Sequence, residues 1–85
     1  MKQAASQLKV IARAPFEVYF EGMAKVVSAV NNVGQFDILP GHADFFSLIN
    51  EGDVKIETET ELINIPCSDG IVTVKDDQVM LFLNL

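Results

Sequence analysis

One cysteine, one histidine and no tryptophan occur among the 85 residues, and these scarcities exclude several kinds of chemistry at once. Cys67 has no intrachain disulfide partner and no second thiol at metal-ligand spacing, which suits a reducing compartment. His42 has no second imidazole to share a metal ion and no partner for a nucleophilic triad. Basic side chains are also few. Six stand against twelve acidic ones, a net charge of -6, which repels phosphate backbones and anionic lipid at close range, so nucleic acid is not an expected partner. Long apolar runs are missing too: Val79 to Leu83 falls far short of the roughly 20 residues of a membrane-spanning helix, and the expected protein is soluble. Residues 1–7 hold one lysine and no apolar stretch, which fits neither a secretory signal nor a transit peptide. They are expected to be a loose tail ahead of a single domain over residues 8–85.

What the chain does have is β-forming material. Hydrophobic residues make up 49% of it, enough for a core with some left over, although a chain this short removes only about 60–65% of its unfolded surface from water. From Asp53 to Glu61 apolar or β-branched residues alternate strictly with charged ones. A period of two places Val54, Ile56, Thr58 and Thr60 on a core face and the charges in water. A hairpin near Glu59 to Glu61 leads into Leu62 to Ile65, which Pro66 is expected to end, having no amide proton to donate. Gly70 to Lys75, the turn pair Asp76-Asp77 and Gln78 to Leu83 read as a second hairpin.

In the first half, Leu8 to Ala14 is a strand stopped at Pro15. Phe16 to Glu21 alternates, with Phe16, Val18 and Phe20 on one side, and Gly22 marks a bend or bulge before Ala24 to Val30. Asn31 and Asn32 supply turn chemistry, since asparagine and Gly34 tolerate positive φ. Short strands at close spacing, without helical periodicity, predict an all-β fold: a small antiparallel sandwich or flattened barrel of about 8–10 strands. The last strand is apolar on both faces. Either it lies centrally between other elements, or Met80 and Phe82 belong to a face that a partner covers.

The most distinctive run is Gly34-Gln35-Phe36-Asp37-Ile38-Leu39-Pro40-Gly41-His42-Ala43. It resembles the Gly-x-Phe-Gly-Ile-Leu-Pro-Gly-His-Ala signature of the N-terminal domain of F-type ATP synthase epsilon subunits. Glu21-Gly22 followed by Lys25 to Val27, Asn50 to Ile56, and Gly70 to Val74 with an acidic turn and a closing apolar strand follow the family's order. Together they cover roughly Leu8 to Leu83. Asp37 stands where the family usually has glycine, Asp44 where proline usually follows the alanine, and Cys67-Ser68-Asp69-Gly70 replaces a Ser-Gly-Gly.

The resemblance implies a non-catalytic rotor component, without cofactor, that joins the gamma subunit to the c-ring in proton-driven ATP synthesis. It implies a cytoplasmic position against the inner face of a bacterial membrane, held there through the complex. By the same resemblance Pro40, Gly41 and His42 meet gamma, while Asn31, Asn32, Gly34 and Gln35 rest on the c-ring, Gln35 standing where the family often has an acid. Met80 and Phe82 form a possible partner face, or the face on which the family's two-helix C-terminal hairpin docks. That hairpin, which binds ATP and inhibits hydrolysis in the family, is absent from these residues. A different class of function stays open: a free-standing β-sandwich that binds a protein or small ligand outside any rotary enzyme, with Asp37 and Asp44 as the features favouring it. A hydrolase needs acids that converge in a cleft, and these acids lie on turns and one wet strand. That strand, with Asp53, Glu57, Glu59 and Glu61, reads as a solvated face and not as a calcium site.

Overall fold

The alternation seen in the sequence is realised, among the described residues, as nine strands packed in two layers. The structure, a computed structural model, describes residues 7–85; of the expected tail, residues 1–6 lie outside the described residues. The strands are β1 (Leu8–Ala14), β2 (Glu17–Ala24), β3 (Val26–Asn31), β4 (Gly34–Ile38), β5 (Phe45–Ile49), β6 (Gly52–Glu57), β7 (Leu62–Cys67), β8 (Asp69–Lys75) and β9 (Gln78–Asn84). A five-stranded sheet runs in the order β2-β1-β9-β8-β5, and a four-stranded sheet in the order β4-β3-β6-β7. No described helix is long and apolar enough to cross a membrane.

Along most of the strands alternate residues point between the layers, where burial from water is the main favourable term. Leu8, Val10 and Ala12 on β1 meet Val72 and Val74 on β8, and Val79, Leu81 and Leu83 on β9, to build the five-stranded half of the core. Val27, Ala29, Val54, Ile56 and Ile65 build the other half. No charged or polar side chain is buried among the described residues, so no desolvated charge has to be compensated.

One pairing refines the antiparallel expectation: β1 runs parallel to β9, with Val10 opposite Val79 and Ala12 opposite Leu81. The two strands come from opposite ends of the domain, and everything between them acts as the long connection that a parallel pair requires. β9 therefore has a strand on each side within its sheet, while its outer face, with Met80 and Phe82, stays exposed.

Four local expectations are corrected. The bulge in β2 falls at Tyr19, between the pairs Ala12–Phe20 and Arg13–Val18, and not at Gly22. The extra residue lets both Tyr19 and Phe20 pack against the core and turns Val18 outward, while Phe16 is fully exposed. A Cβ at Gly22 would meet the Phe20 ring at 3.4 Å, an ordinary van der Waals contact, so neither a bulge nor a lack of space singles out glycine there. β6 stops at Glu57, four residues short of the alternating run, because Thr58 organises the turn: its Oγ1 accepts from the Thr60 and Glu61 amides and donates to the Glu61 carbonyl. Pro66 does not end β7 but pairs with Asp53 inside it. This is tolerated because β7 is an edge strand, whose outer side needs no amide donor.

Candidate docking surfaces

The connection from β4 to β5 crosses between the two sheets and carries Pro40, Gly41 and His42. It is anchored below by Ile38, which is fully buried, and closed by a hydrogen bond from the His42 amide to the Leu39 carbonyl (3.1 Å). Gly41 sits at φ 85°, a left-handed conformation that L side chains rarely adopt. Its amide donates to Asp77 Oδ1 at 2.7 Å. The half-buried His42 ring packs edge-on against Phe45 (centroids 5.4 Å apart), and Phe45 in turn meets Phe36 edge-on (5.6 Å). His42 Nδ1 lies 2.7 Å from the Ala43 carbonyl oxygen, the geometry of an Nδ1–H donor. The turn stands at the surface, with Leu39 and Gly41 exposed.

At the opposite end of β4, the β3–β4 hairpin tip carries Asn31, Asn32, Gly34 and Gln35. Here the asparagine expectation needs correction: positive φ falls on Gly34 (134°) and on neither Asn31 nor Asn32. Asn31 acts through its side chain, whose Oδ1 accepts from the amides of Val33 (2.9 Å) and Gly34 (3.2 Å). Asn32 and Gln35 are exposed. The residue that sequence reasoning passed over is Val33, an apolar side chain 90% exposed at the apex; it lies between turn residues, outside any alternating run.

The third surface is the outer face of the five-stranded sheet. Met80 and Phe82 do point outward there, half-exposed, while Val79, Leu81 and Leu83 point in. Register assembles neighbours that no single segment announces. One row crosses the sheet as Glu21, Ile11, Met80, Thr73 and Phe46, and the next as Val18, Arg13, Phe82, Ile71 and Leu48. At its edge, Leu48, Ile71 and Phe82 run into an open groove of ≈ 640 Å³.

The acids do not converge. Asp53 accepts from Asn64 Nδ2 (3.2 Å), Glu57 lies 4.0 Å from Lys25 Nζ, and Glu59 and Glu61 sit on the turn after β6. Among the described residues no three or more His, Cys, Asp or Glu side chains come together as metal ligands would. Cys67 is buried and free. Burial pushes its thiol pKa up, with Asp69 and then Asp53 adding to the rise, the opposite of what a reactive thiolate needs.

Compared with known proteins, residues 7–84 match the family described as ATP synthase, Delta/Epsilon chain, beta-sandwich domain. The chain belongs to that family. Among relatives of this ATP synthase delta/epsilon sandwich, the ATP synthase epsilon chain of Ruminococcus albus is 32% identical over 80 residues, 94% of this chain and 58% of that protein. The epsilon chain of Trichlorobacter lovleyi is 24% identical over 79 residues, 93% of this chain and 57% of that protein. This delta/epsilon sandwich thus spans a little over half the length of the relatives it matches. Among solved structures, a chain of the Euglena gracilis mitochondrial ATP synthase (OSCP/F1/c-ring) superposes with TM-score 0.87 at 18% identity, covering 96% of this chain and 53% of that one. A chain of the Tetrahymena thermophila mitochondrial ATP synthase (central stalk/c-ring) gives 0.78 at 20% identity, covering 99% and 67%. At such identities the structural likeness speaks for the fold.

Proposed function

We propose that this sandwich is the N-terminal part of an ATP synthase epsilon subunit and works as a rotor element joining the gamma subunit to the c-ring. The observation that carries this reading is the family match over nearly the whole sandwich, and the geometry agrees with it. The Pro40–Gly41–His42 turn and the Asn31–Gln35 tip stand at the two ends of β4, five residues long or about 17 Å at the rise of a strand. The turn is braced by the two sheets it joins, the tip by the paired strands β3 and β4. A stiff body with docking surfaces at two ends transmits torque by holding them in fixed relation and needs no acid, base or metal chemistry. In this reading Pro40, Gly41 and His42 meet gamma, while Asn31, Asn32, Gly34 and Gln35, with Val33 added from the structure, meet the c-ring. Met80 and Phe82 belong to the face that a further partner, or a C-terminal hairpin, covers. The sandwich would sit in the cytoplasm against the inner face of a bacterial membrane, held through the complex.

The departures at Asp37 and Asp44 both have work inside the fold. Asp37 Oδ1 accepts from Ser28 Oγ at 2.7 Å, and Asp44 Oδ1 accepts from the Asp76 amide at 3.2 Å. Neither therefore requires a change of partner, and the free-standing module gains no support from them. Titration of the purified chain with the gamma subunit of the same organism tests the proposal. A saturable complex weakened by His42→Ala is expected; no association with gamma, for this chain and for the full-length product alike, overturns it.

A further inference from the structure

Two loops far apart in sequence exchange carboxylate–amide hydrogen bonds at one end of the sandwich. Asp77, in the β8–β9 turn, accepts from the Gly41 amide (2.7 Å), and Asp44, in the β4–β5 connection, accepts from the Asp76 amide (3.2 Å). Each loop gives one carboxylate and receives one. From this geometry we propose that Asp44 and Asp77 form a reciprocal latch that holds the Pro40–His42 turn in its docking shape.

Three observations support the latch. Asp76 and Asp77 hold φ at 51° and 62°, a turn for which Asn-Gly is the usual choice. Asparagine and aspartate visit that region more readily than other side chains, but glycine does so at less strain, so an aspartate at position 77 makes sense where its carboxylate is in use. The β8–β9 turn is itself anchored, because the Asp77 carbonyl accepts from the Lys9 amide of β1 at 2.9 Å. Finally, the other restraints on the connection it grips come from its own ends and from the edge contact of the His42 ring with Phe45. Its backbone closes on itself through the Leu39–His42 bond, and Gly41, the most permissive residue in it, is the one whose amide Asp77 takes. Holding that amide removes freedom that docking would otherwise have to remove. The latch spans the gap between the sheets, since β4 belongs to the four-stranded sheet and β5, β8 and β9 to the other.

The docking role rests on the functional reading above; the latch itself does not. Amide hydrogen exchange, followed by NMR on the whole chain, tests the latch without any partner. Asp77→Gly keeps the positive φ and removes the acceptor. It should speed exchange at Gly41 by about fivefold, the effect of losing one exposed hydrogen bond, and also at Asp76 through the reciprocal arm. Asp44→Ala should do the same with the order of the two amides reversed. Asp77→Asn, which keeps both the backbone preference and an acceptor oxygen, should stay near wild type. The double variant should show less than the product of the two single effects. Unchanged exchange at Gly41 in Asp77→Gly overturns the latch, as does acceleration spread evenly along β8 and β9. Affinity for gamma is then measured on the same variants, and a severalfold loss in Asp77→Gly with recovery in Asp77→Asn supports the docking role. Equal affinity across variants with altered exchange overturns that role alone. Failure of the wild-type chain to bind gamma overturns the functional reading and the docking role together, while the exchange result still judges the latch.

Discussion

The outer faces of the two sheets differ more than their inner faces do. Inside, both layers offer the same aliphatic surface. Outside, the four-stranded sheet presents Asp37, Ser28, Lys55 and Asn64 as one polar row across its strands, with Val26, Glu57 and Leu62 in the next. The five-stranded sheet presents Ile11, Met80 and Phe46, then Val18, Phe82, Ile71 and Leu48, interrupted chiefly by Glu21, Thr73 and Arg13. A polar outer face is satisfied by water. A contiguous apolar one leaves hydrophobic surface in water, and in the reading proposed above it is the face that a further partner or hairpin covers.

The comparison breaks most sharply at β9, where adjacent residues serve opposite faces. Leu81→Ala, at a fully buried position, should lower stability by about 2–5 kcal/mol in urea unfolding, through lost burial and the cavity left behind. Cys67 probes the same inner layer from the alkaline side. Burial holds its thiol pKa above the ordinary value in the folded protein, so the unfolded chain loses this proton first and stability falls as pH rises from the unfolded pKa through the folded one. Cys67→Val should remove that part of the alkaline decline, measured as unfolding midpoints at pH 8 and pH 10. Phe82→Thr, one residue from Leu81 but on the outer face, should change stability by less than about 1 kcal/mol and reduce binding of a hydrophobic dye; a loss as large as that of Leu81→Ala would erase the distinction between the two faces. The smallest effect is expected on the polar sheet. Lys25→Gln, which removes the exposed pair with Glu57, should shift stability by under about 0.5 kcal/mol, and less at high salt.

Most of the layered architecture was legible in the sequence because side-chain direction alternates residue by residue along a strand. That one rule placed Val54 and Ile56 inward and Asp53, Lys55 and Glu57 outward, while turn chemistry marked Asp76-Asp77 as a hairpin turn. It failed where a local exception intervened. A bulge at Tyr19 switched the faces of β2, and Thr58 turned the chain while the alternation continued for three more residues. The Gly34 to Ala43 run marked the turn with Pro40, Gly41 and His42, whose backbone needs are written in those residues. The apolar face around Met80 and Phe82 was only half visible, since Phe46, Leu48 and Ile71 lie on other strands and join it through register alone.

By itself, the sequence determined an all-β chain, which side of β6 meets the core, where most turns fall, and the family. Alternation, turn chemistry and a contiguous motif are local properties, and local properties survive being written in one dimension. Only the tertiary structure decided that β1 lies parallel to β9, that Pro66 sits safely at an edge, which side chains merge into one apolar face, and that Asp77 reaches Gly41. Each of those depends on residues brought together from distant parts of the chain, whose meeting is set by the packing of two whole sheets and leaves no mark on the neighbours of either residue.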